Sequence, residues 1–268
     1  MRRFSLVLVL LFTVAANAAM AQTPATVFLE QLTWTELKDE IGAGKTTILI
    51  PIGGVEQSGP DMALGKHDVR VKALAEKIAL QLGNALVAPV IAYVPEGGVN
   101  PPTAHMRFPG TITVPDQTFE TVLEYAARSF KLAGFRDIVF LGDHGGYQRD
   151  EQVVADRLNA EWRKSQTRAH ALPEYYRTTQ AEYVLALERK GYSMAEIGSH
   201  AGLADTSLML AVDPDLVRTD RLPTDSRLTA ANGVYGDPRR ASAALGQLGV
   251  DLIVTRTVEA IRKAEEQH

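Results

Sequence analysis

Short apolar segments alternate with longer amphipathic segments along this chain, and this alternation restricts its fold more than any other feature. Apolar runs of strand length lie at 47–52, 86–94 and 137–141. Segments with the apolar spacing of helices lie at 68–82, 118–133 and 148–165. Strands that alternate with helices of this length form βαβ units around a parallel sheet that is covered on both faces. We therefore predict an α/β fold, a single-domain α/β/α sandwich with a mainly parallel sheet.

The first 21 residues predict a secretory signal peptide and not a part of the fold. Arg2 and Arg3 precede the apolar run 4–16, and the small residues around Met20 suit cleavage after Ala21. This run is too short to span a bilayer comfortably, so we expect export to the periplasm or the medium without stable membrane insertion. An uncleaved anchor is the alternative. The predicted mature chain, residues 22–268, has the length of one large domain.

Charge and cysteine content narrow the chemistry. The chain has 28 Lys and Arg against 32 Asp and Glu, and removal of Arg2 and Arg3 gives a mature balance of 26 minus 32, or −6. A nucleic-acid partner is therefore not expected. The chain has no cysteine, which excludes disulfides, thiol nucleophiles and thiolate ligands. A metal site would have to be built from histidines and carboxylates.

Histidines and carboxylates concentrate in the loops after the predicted strands, at 53–68, 96–110 and 142–146, and again near residue 200. The residues of these types are Glu56, Asp61, His67, Asp68, His105, Asp143, His144, His200 and Asp205. In parallel sheets, sites lie at the carboxyl ends of the strands. This placement predicts a hydrolytic metal site with an open position for water.

Five motifs, in this order, resemble the creatininase (creatinine amidohydrolase) family. They are Gly54-Val55-Glu56-Gln57-Ser58-Gly59-Pro60, Phe108-Pro109-Gly110-Thr111-Ile112, Gly142-Asp143-His144-Gly145-Gly146, His200-Ala201-Gly202-Leu203-Ala204-Asp205-Thr206-Ser207 and Gly236-Asp237-Pro238. The resemblance covers nearly all of the predicted mature chain. It implies one α/β domain with a metal centre, an oligomeric assembly, and cleavage of C–N bonds in cyclic or linear amides.

The resemblance also assigns ligands, and this chain departs from the family at several of them. The family's first carboxylate ligand falls on Glu56, and the histidine of its Asn-Gly-His motif falls on His144. Its other ligand positions fall on Ser58, His67 and Gly146. A carboxylate can bridge two ions, whereas a neutral imidazole gives one lone pair to one metal. The second ion of a dinuclear centre would therefore lose most of its ligands.

What remains is a set of two histidines and one carboxylate. We predict one divalent metal per chain, Zn²⁺ with Fe²⁺ or Mn²⁺ as alternatives, held by Glu56, His67 and His144. A shift of one residue would offer Asp68 as a ligand instead. Each residue also has a structural interpretation: Glu56 paired with a buried arginine, His67 flanking a helix capped by Asp68, and His144 held by loop backbone.

The resemblance gives catalytic roles to His200 and Asp205. His200 matches the family histidine that is proposed to deliver a proton to the leaving nitrogen, and its intrinsic pKa suits that task. A structural histidine beside a helix is the alternative. Asp205 replaces a family Glu and is one methylene shorter, so metal ligation and support of another ligand both stay open. His105 is expected either to be an exposed loop histidine or to close over the substrate.

We predict an exported, homo-oligomeric, metal-dependent hydrolase that acts on an amide or related C–N bond of a small molecule. Creatinine is not the expected substrate, because the altered ligands are those specific to creatininase. A lactam, cyclic imide, lactone or short modified peptide would fit. The alternative is an exported, non-catalytic small-molecule-binding protein that retains the fold, and the joint presence of Glu56, His67 and His144 argues against it.

Overall fold

The computed structural model describes residues 25–222 and 228–267. The predicted signal peptide, 1–21, therefore lies outside the described residues. In the described part of the chain, no helix combines the length and the apolar character needed to cross a membrane.

Four parallel strands form the sheet of the described chain. They are β1 (Thr47–Ile52), β2 (Ala85–Val87), β3 (Asp137–Gly142) and β4 (Arg168–Ala171), in the spatial order β2-β1-β3-β4. β1 and β3 pair over their whole length, and β2 and β4 flank them. The predicted α/β fold with a parallel sheet is confirmed.

Helices cover both faces of this sheet. The α-helices of the described residues are α1 (Trp34–Gly42), α2 (Lys66–Leu82), α3 (Asp116–Ala133), α4 (Gln148–Glu161), α5 (Glu174–Gln180), α6 (Glu182–Arg189), α7 (Met194–Ile197), α8 (Leu203–Val212) and α9 (Ala243–Glu265). Along β1, Ile48 and Ile50 pack in a core with α3 and α4, whereas Leu49 packs in a second core with α2 and α9. The central strands β1 and β3 are apolar after their first residue because both of their faces are buried, whereas the edge strand β4 is half-buried and includes Arg168 and His170.

Five of the six predicted elements have different bounds in the structure. Two differences are small: α3 begins at Asp116 and not at 118, and β3 ends at Gly142 and not at 141. The strand predicted over 86–94 stops pairing at Val87, because Pro89 has no N–H for the ladder and only an isolated bridge at Ile91 follows. The helix predicted over 148–165 ends at Glu161, where the chain turns toward β4. The helix predicted over 68–82 begins at Lys66, which places His67 in its first turn.

The strand order places a switch point between β1 and β3, because the chain leaves β1 toward β2 on one side while β3 lies on the other. The end of β1 touches the start of α2 here. A side chain at Gly53 would clash with the carboxylate and backbone of Asp68, and Asp68 Oδ1 accepts a hydrogen bond from the Gly54 N–H at 2.9 Å. Crevices at such switch points are common ligand sites in parallel sheets.

Candidate metal centre

Four side chains converge above the switch point, and we call them the ligand cluster: Glu56, Glu96, His105 and His144. Each offers one ligand atom, and these atoms all lie within 4.8 Å of one another. Glu56 lies in the loop after β1, and His144 follows β3 directly. Glu96 ends the extended segment after β2, and His105 lies in a short 3₁₀ turn, Ala104–Arg107. The cluster therefore joins three loops that leave the same edge of the sheet.

Unpartnered oxygen atoms distinguish the ligand cluster. Glu56 Oε2 and both carboxylate oxygens of Glu96 are buried, and none accepts a hydrogen bond from an N–H or a hydroxyl of the described residues; a protonated Glu96 shares its proton with Glu56. Glu56 Oε2 lies 3.2 Å from His105 Nε2 and 3.7 Å from His144 Nε2, and Glu96 Oε1 lies 4.0 Å from His144 Nδ1. Buried oxygens without partners are costly. A cation placed among them would satisfy all three.

The protonation states of the cluster suit such a cation. Burial, together with the neighbouring Glu56 carboxylate, raises the pKa of Glu96 to about 9. Burial acts against the charge of Glu56 as well, but Lys66 and His67 hold its pKa well below the usual range. Burial lowers the pKa of His105, and lowers that of His144 to about 4, so both imidazoles are neutral at pH 7. Neutral imidazoles and carboxylates fit Zn²⁺ and Mn²⁺ as ligands.

His67 lies on the opposite side of Glu56 from the two other histidines. Its Nε2 is 2.7 Å from Glu56 Oε1, and its Nδ1 is 2.5 Å from Asp143 Oδ2. Both ring nitrogens are thus in contact with carboxylates. Burial acts to lower the pKa of His67, but these two carboxylates outweigh burial, and the pKa is raised. Of the ligands predicted from the sequence, the structure brings Glu56 and His144 together and places His67 outside the ligand cluster. Asp68, the alternative ligand, is also outside it.

His67 belongs to a second group of buried charged residues, the ion-pair cluster: Lys66, His67, Arg70, Asp143 and Asp205. Arg70 donates from Nε to Asp143 Oδ2 and from Nη1 to Asp205 Oδ1, both at 2.9 Å. Lys66 Nζ donates to Asp205 Oδ2 at 2.9 Å. Although burial opposes it, Lys66 and Arg70 hold the pKa of Asp205 well below its usual range. The structure thus engages both oxygens of Asp205 in ion pairs.

His200 lies between the two clusters and is 9% exposed. Its Nε2 is 2.9 Å from the carbonyl oxygen of Gln57, to which it can donate, and its Nδ1 is 3.6 Å from Glu56 Oε1. Burial and then Lys66 lower the pKa of His200 to about 3, so the ring is neutral at pH 7. Gln57 Nε2 can donate to His105 Nδ1 at 3.0 Å, and it also lies 3.0 Å from His200 Nε2, which accepts from it in the other tautomer.

The sequence alone does not assign Glu96 or His105 as ligands. Both lie in the strand-end loop 96–110, which the parallel sheet singles out, but no metal-binding motif surrounds either residue. His105 is also more buried than an exposed loop histidine, with 20% of its side chain accessible. The only available signal was the position of this loop after a strand.

Two cavities border the clusters. An open cavity of about 560 Å³ is lined by His105, His144 and His200, with Phe108 and Tyr235 toward its mouth. A small cavity of about 70 Å³ borders the ion-pair cluster and is large enough for a few water molecules. The larger cavity gives a small organic molecule access to the ligand cluster.

The fold and the site together define the class of this protein: it is a parallel α/β domain that has a histidine–carboxylate cluster at the carboxyl edge of its sheet. The family model described as "Creatininase: Creatinine amidohydrolase" matches residues 30–261. The chain therefore belongs to the creatininase family.

Several hydrolases are similar to this chain. The creatinine amidohydrolase of Pseudomonas putida is 26% identical over 88% of this chain and 96% of its own length. The mycofactocin precursor peptide peptidase of Mycolicibacterium smegmatis is 29% identical over 75% of this chain and 78% of its own length. The 3-dehydro-scyllo-inosose hydrolase of Thermotoga maritima is 25% identical over 74% of this chain and 60% of its own length. These relatives are all hydrolases, and they act on different substrates.

Solved creatininase structures share the fold. A crystal structure of creatinine amidohydrolase is 25% identical, with a TM-score of 0.75 over 90% of this chain and 98% of that one. A creatininase mutant of the Zn-Zn type and a manganese creatininase are each 25% identical, with TM-scores of 0.72 and 0.74 over 89% of this chain and 98% of those chains. Zinc and manganese are thus the metals of these relatives.

Proposed function

We propose that this protein is a metal-dependent hydrolase that cleaves an amide or related C–N bond, including cyclic ones, in a small molecule. One observation carries the proposal: three buried carboxylate oxygens of Glu56 and Glu96 accept no hydrogen bond from an N–H or a hydroxyl of the described residues and lie beside two neutral imidazoles. This arrangement lies at the wall of a cavity that suits a small molecule.

Glu56, Glu96, His105 and His144 would hold the metal. A bound Zn²⁺ or Mn²⁺ supplies a Lewis acid for a carbonyl oxygen and lowers the pKa of a water molecule toward neutrality. The Glu96 carboxyl would release its proton on metal binding, because a ligating carboxylate must be ionised. Family membership supports this assignment, since zinc and manganese are found in the solved relatives.

His200 is our candidate for proton transfer. The contacts of its Nε2 with the carbonyl and the side-chain amide of Gln57 fix the ring, and in the tautomer that donates from Nε2 to the carbonyl, Nδ1 is the proton acceptor. Because the ring is neutral at pH 7, it can act first as a base that takes a proton from water at Nδ1. The same nitrogen then delivers that proton to the leaving nitrogen. Asp205 would act through Lys66 and Arg70, which it holds in place.

Metal analysis combined with a substrate panel tests the proposal. Protein expressed with added Zn²⁺ or Mn²⁺ should retain metal after dialysis and hydrolyse at least one member of a panel of lactams, cyclic imides and linear amides. His144→Ala should lose both metal and activity. His170→Ala is a matched control, because His170 pairs with Asp137 at the opposite end of β3. Metal-loaded protein that binds panel members without turnover would instead identify a binding protein.

Export and homo-oligomeric assembly are separate proposals, and the first rests on the leader sequence. N-terminal sequencing of the mature protein should begin at Gln22. Intact Met1 in a soluble cytoplasmic fraction would show that the leader is not cleaved. Light scattering of the purified protein measures the assembly, and a monomeric mass would contradict it.

A further inference from the structure

The ammonium group of Lys66 is fully buried beside the ligand cluster. Its side chain is 0% exposed, and Nζ lies 2.9 Å from Asp205 Oδ2 and 3.4 Å from Glu56 Oε1. Lys66 is also the first residue of α2, and a cation is unfavourable at the positive end of a helix dipole. A buried lysine at this position is tolerated only because two carboxylates form ion pairs with it and compensate its positive charge.

The two oxygens of the Glu56 carboxylate have different surroundings as a result. Oε1 lies 2.7 Å from His67 Nε2 and 3.4 Å from Lys66 Nζ. Oε2 accepts no hydrogen bond from an N–H or a hydroxyl of the described residues and faces His105 and His144. One carboxylate therefore connects a fixed organic cation with the candidate metal position.

The charges of the two clusters balance around a single divalent ion. The four carboxylates are Glu56, Glu96, Asp143 and Asp205. When all are ionised they face two basic side chains, those of Lys66 and Arg70. Two negative charges are left, which one divalent ion neutralises.

We propose that Lys66 takes the place of a second metal ion, so that this chain binds one divalent ion where a creatininase of the Zn-Zn type has two zinc sites. The ammonium neutralises Glu56 Oε1 and Asp205, and it holds Glu56 with Oε2 directed at the ligand cluster. Lys66 is thus a positioning residue. This inference rests on the proposed metal-dependent function.

Metal counting in Lys66 variants tests this inference. Wild type should bind about one equivalent of Co²⁺ or Zn²⁺, measured by elemental analysis after dialysis and by Co²⁺ absorbance titration. Lys66→Ala opens space next to the cavity of about 70 Å³ and removes the ammonium group from Glu56 Oε1 and Asp205 Oδ2. Its metal content should therefore rise toward about two equivalents. Lys66→Arg keeps the charge and should restore the wild-type count.

A second variant covers the case in which Lys66→Ala fails to fold. Lys66→Gln keeps a donor for Asp205 but removes the positive charge, so the ion at the ligand cluster should bind at least about tenfold more tightly. Weaker binding would mean that Lys66 serves only to orient Glu56. It would overturn the proposal that Lys66 takes the place of a second metal ion. Lys72→Ala is the control on the same helix, because Lys72 makes an exposed pair with Glu30. It should leave the metal count and affinity unchanged.

The outcomes separate this inference from the proposed function. A wild type that binds no metal overturns both. A wild type that binds two equivalents overturns the role of Lys66 and leaves a metal-dependent hydrolase. One equivalent with the same affinity in wild type, Lys66→Ala and Lys66→Gln also overturns the role of Lys66 alone.

Discussion

The ligand cluster and the ion-pair cluster lie against each other, since Glu56 of the first contacts Lys66 and His67 of the second, and they differ in how their polar atoms are partnered. In the ion-pair cluster, Asp143 receives hydrogen bonds from Arg70, His67 and the hydroxyl of Tyr175. In the ligand cluster, Glu96 receives none from the described residues through either carboxylate oxygen. Both clusters are made of similar residues in a similarly buried place. Their difference separates groups that stabilise the fold from groups that are available to a ligand.

The largest effect is expected in the ligand cluster. Glu96→Gln keeps the shape of the side chain but removes a metal-binding charge, so hydrolysis should fall by about 10³-fold, with a similar loss of metal affinity. The melting temperature of the metal-free protein should hardly change at pH 7, because Glu96, with its pKa of about 9, is already neutral there. Calorimetry in a chelator and metal titration measure the two quantities. Unchanged metal affinity would remove Glu96 from the cluster.

The opposite pattern is expected in the ion-pair cluster. Asp143→Ala leaves Arg70 without its main buried partner, which should lower the free energy of unfolding by about 3–5 kcal/mol. Urea denaturation with a chelator present measures this loss without any contribution from metal. Asp137→Ala, at the other end of β3, should cost about 1 kcal/mol or less. Equal losses in the two variants would contradict a special role of the buried cluster.

His200 lies between the clusters, and its removal should affect neither metal binding, as in the ligand cluster, nor stability, as in the ion-pair cluster. His200→Ala should keep its metal and its melting temperature, while kcat falls by about 10²-fold or more. The defect should shrink along a series of substrates with increasingly acidic leaving groups, because these need less protonation. Loss of metal would make His200 a ligand. A defect that stays constant along the series would point to substrate positioning.

The smallest effect concerns a buried carboxyl group outside both clusters. Burial, and then Asp150, raise the pKa of Glu151 well above its ordinary value of 4.5, and its Oε1 has no partner among the described residues. The folded state therefore keeps a proton that the unfolded chain releases. Its stabilising contribution is present below pH 4.5 and is lost as the pH rises toward the folded pKa.

Glu151→Gln removes this titration. Relative to the variant, wild type should lose unfolding free energy by up to about 1.4 kcal/mol per pH unit from pH 5 upward. Urea denaturation of both proteins across this range measures the difference. Parallel pH profiles would show that Glu151 is ionised in the folded protein. A buried carboxylate oxygen without a hydrogen-bond partner would then not be evidence that the carboxyl group is protonated.

The sheet could be predicted because its signal is local. The apolar runs that become β1 and β3 predict strands without any information from the rest of the chain, because a strand that is buried on both faces is apolar at nearly every position. The early end of β2 follows from Pro89, a single residue that interrupts an otherwise apolar run. Helix ends were less accurate because capping and local turns decide them within one or two residues.

The ligand cluster could be predicted only in part, because its members come from distant parts of the chain. Glu56 and His144 lie in recognisable motifs, whereas Glu96 and His105 lie in a loop without one. The position of His67 depends on Asp143, which is 76 residues away. Spacing alone cannot show that this carboxylate engages the second ring nitrogen. The burial of Lys66 has the same origin, since Asp205 is 139 residues away.

The short second strand has a consequence for the choice of ion. Glu56 and His144 follow β1 and β3, which are paired along their whole length. Glu96 ends a segment that contacts β1 beyond Val87 through the Ala88 N–H, which donates to the Leu49 carbonyl, and through the bridge at Ile91. The centre thus combines two donors that follow fully paired strands with two, Glu96 and His105, from the loop after the short strand, and we expect ions of unequal radius to be accommodated on the side of these last two. Exchange between zinc and manganese should then follow the supply of each metal more than the geometry of the protein.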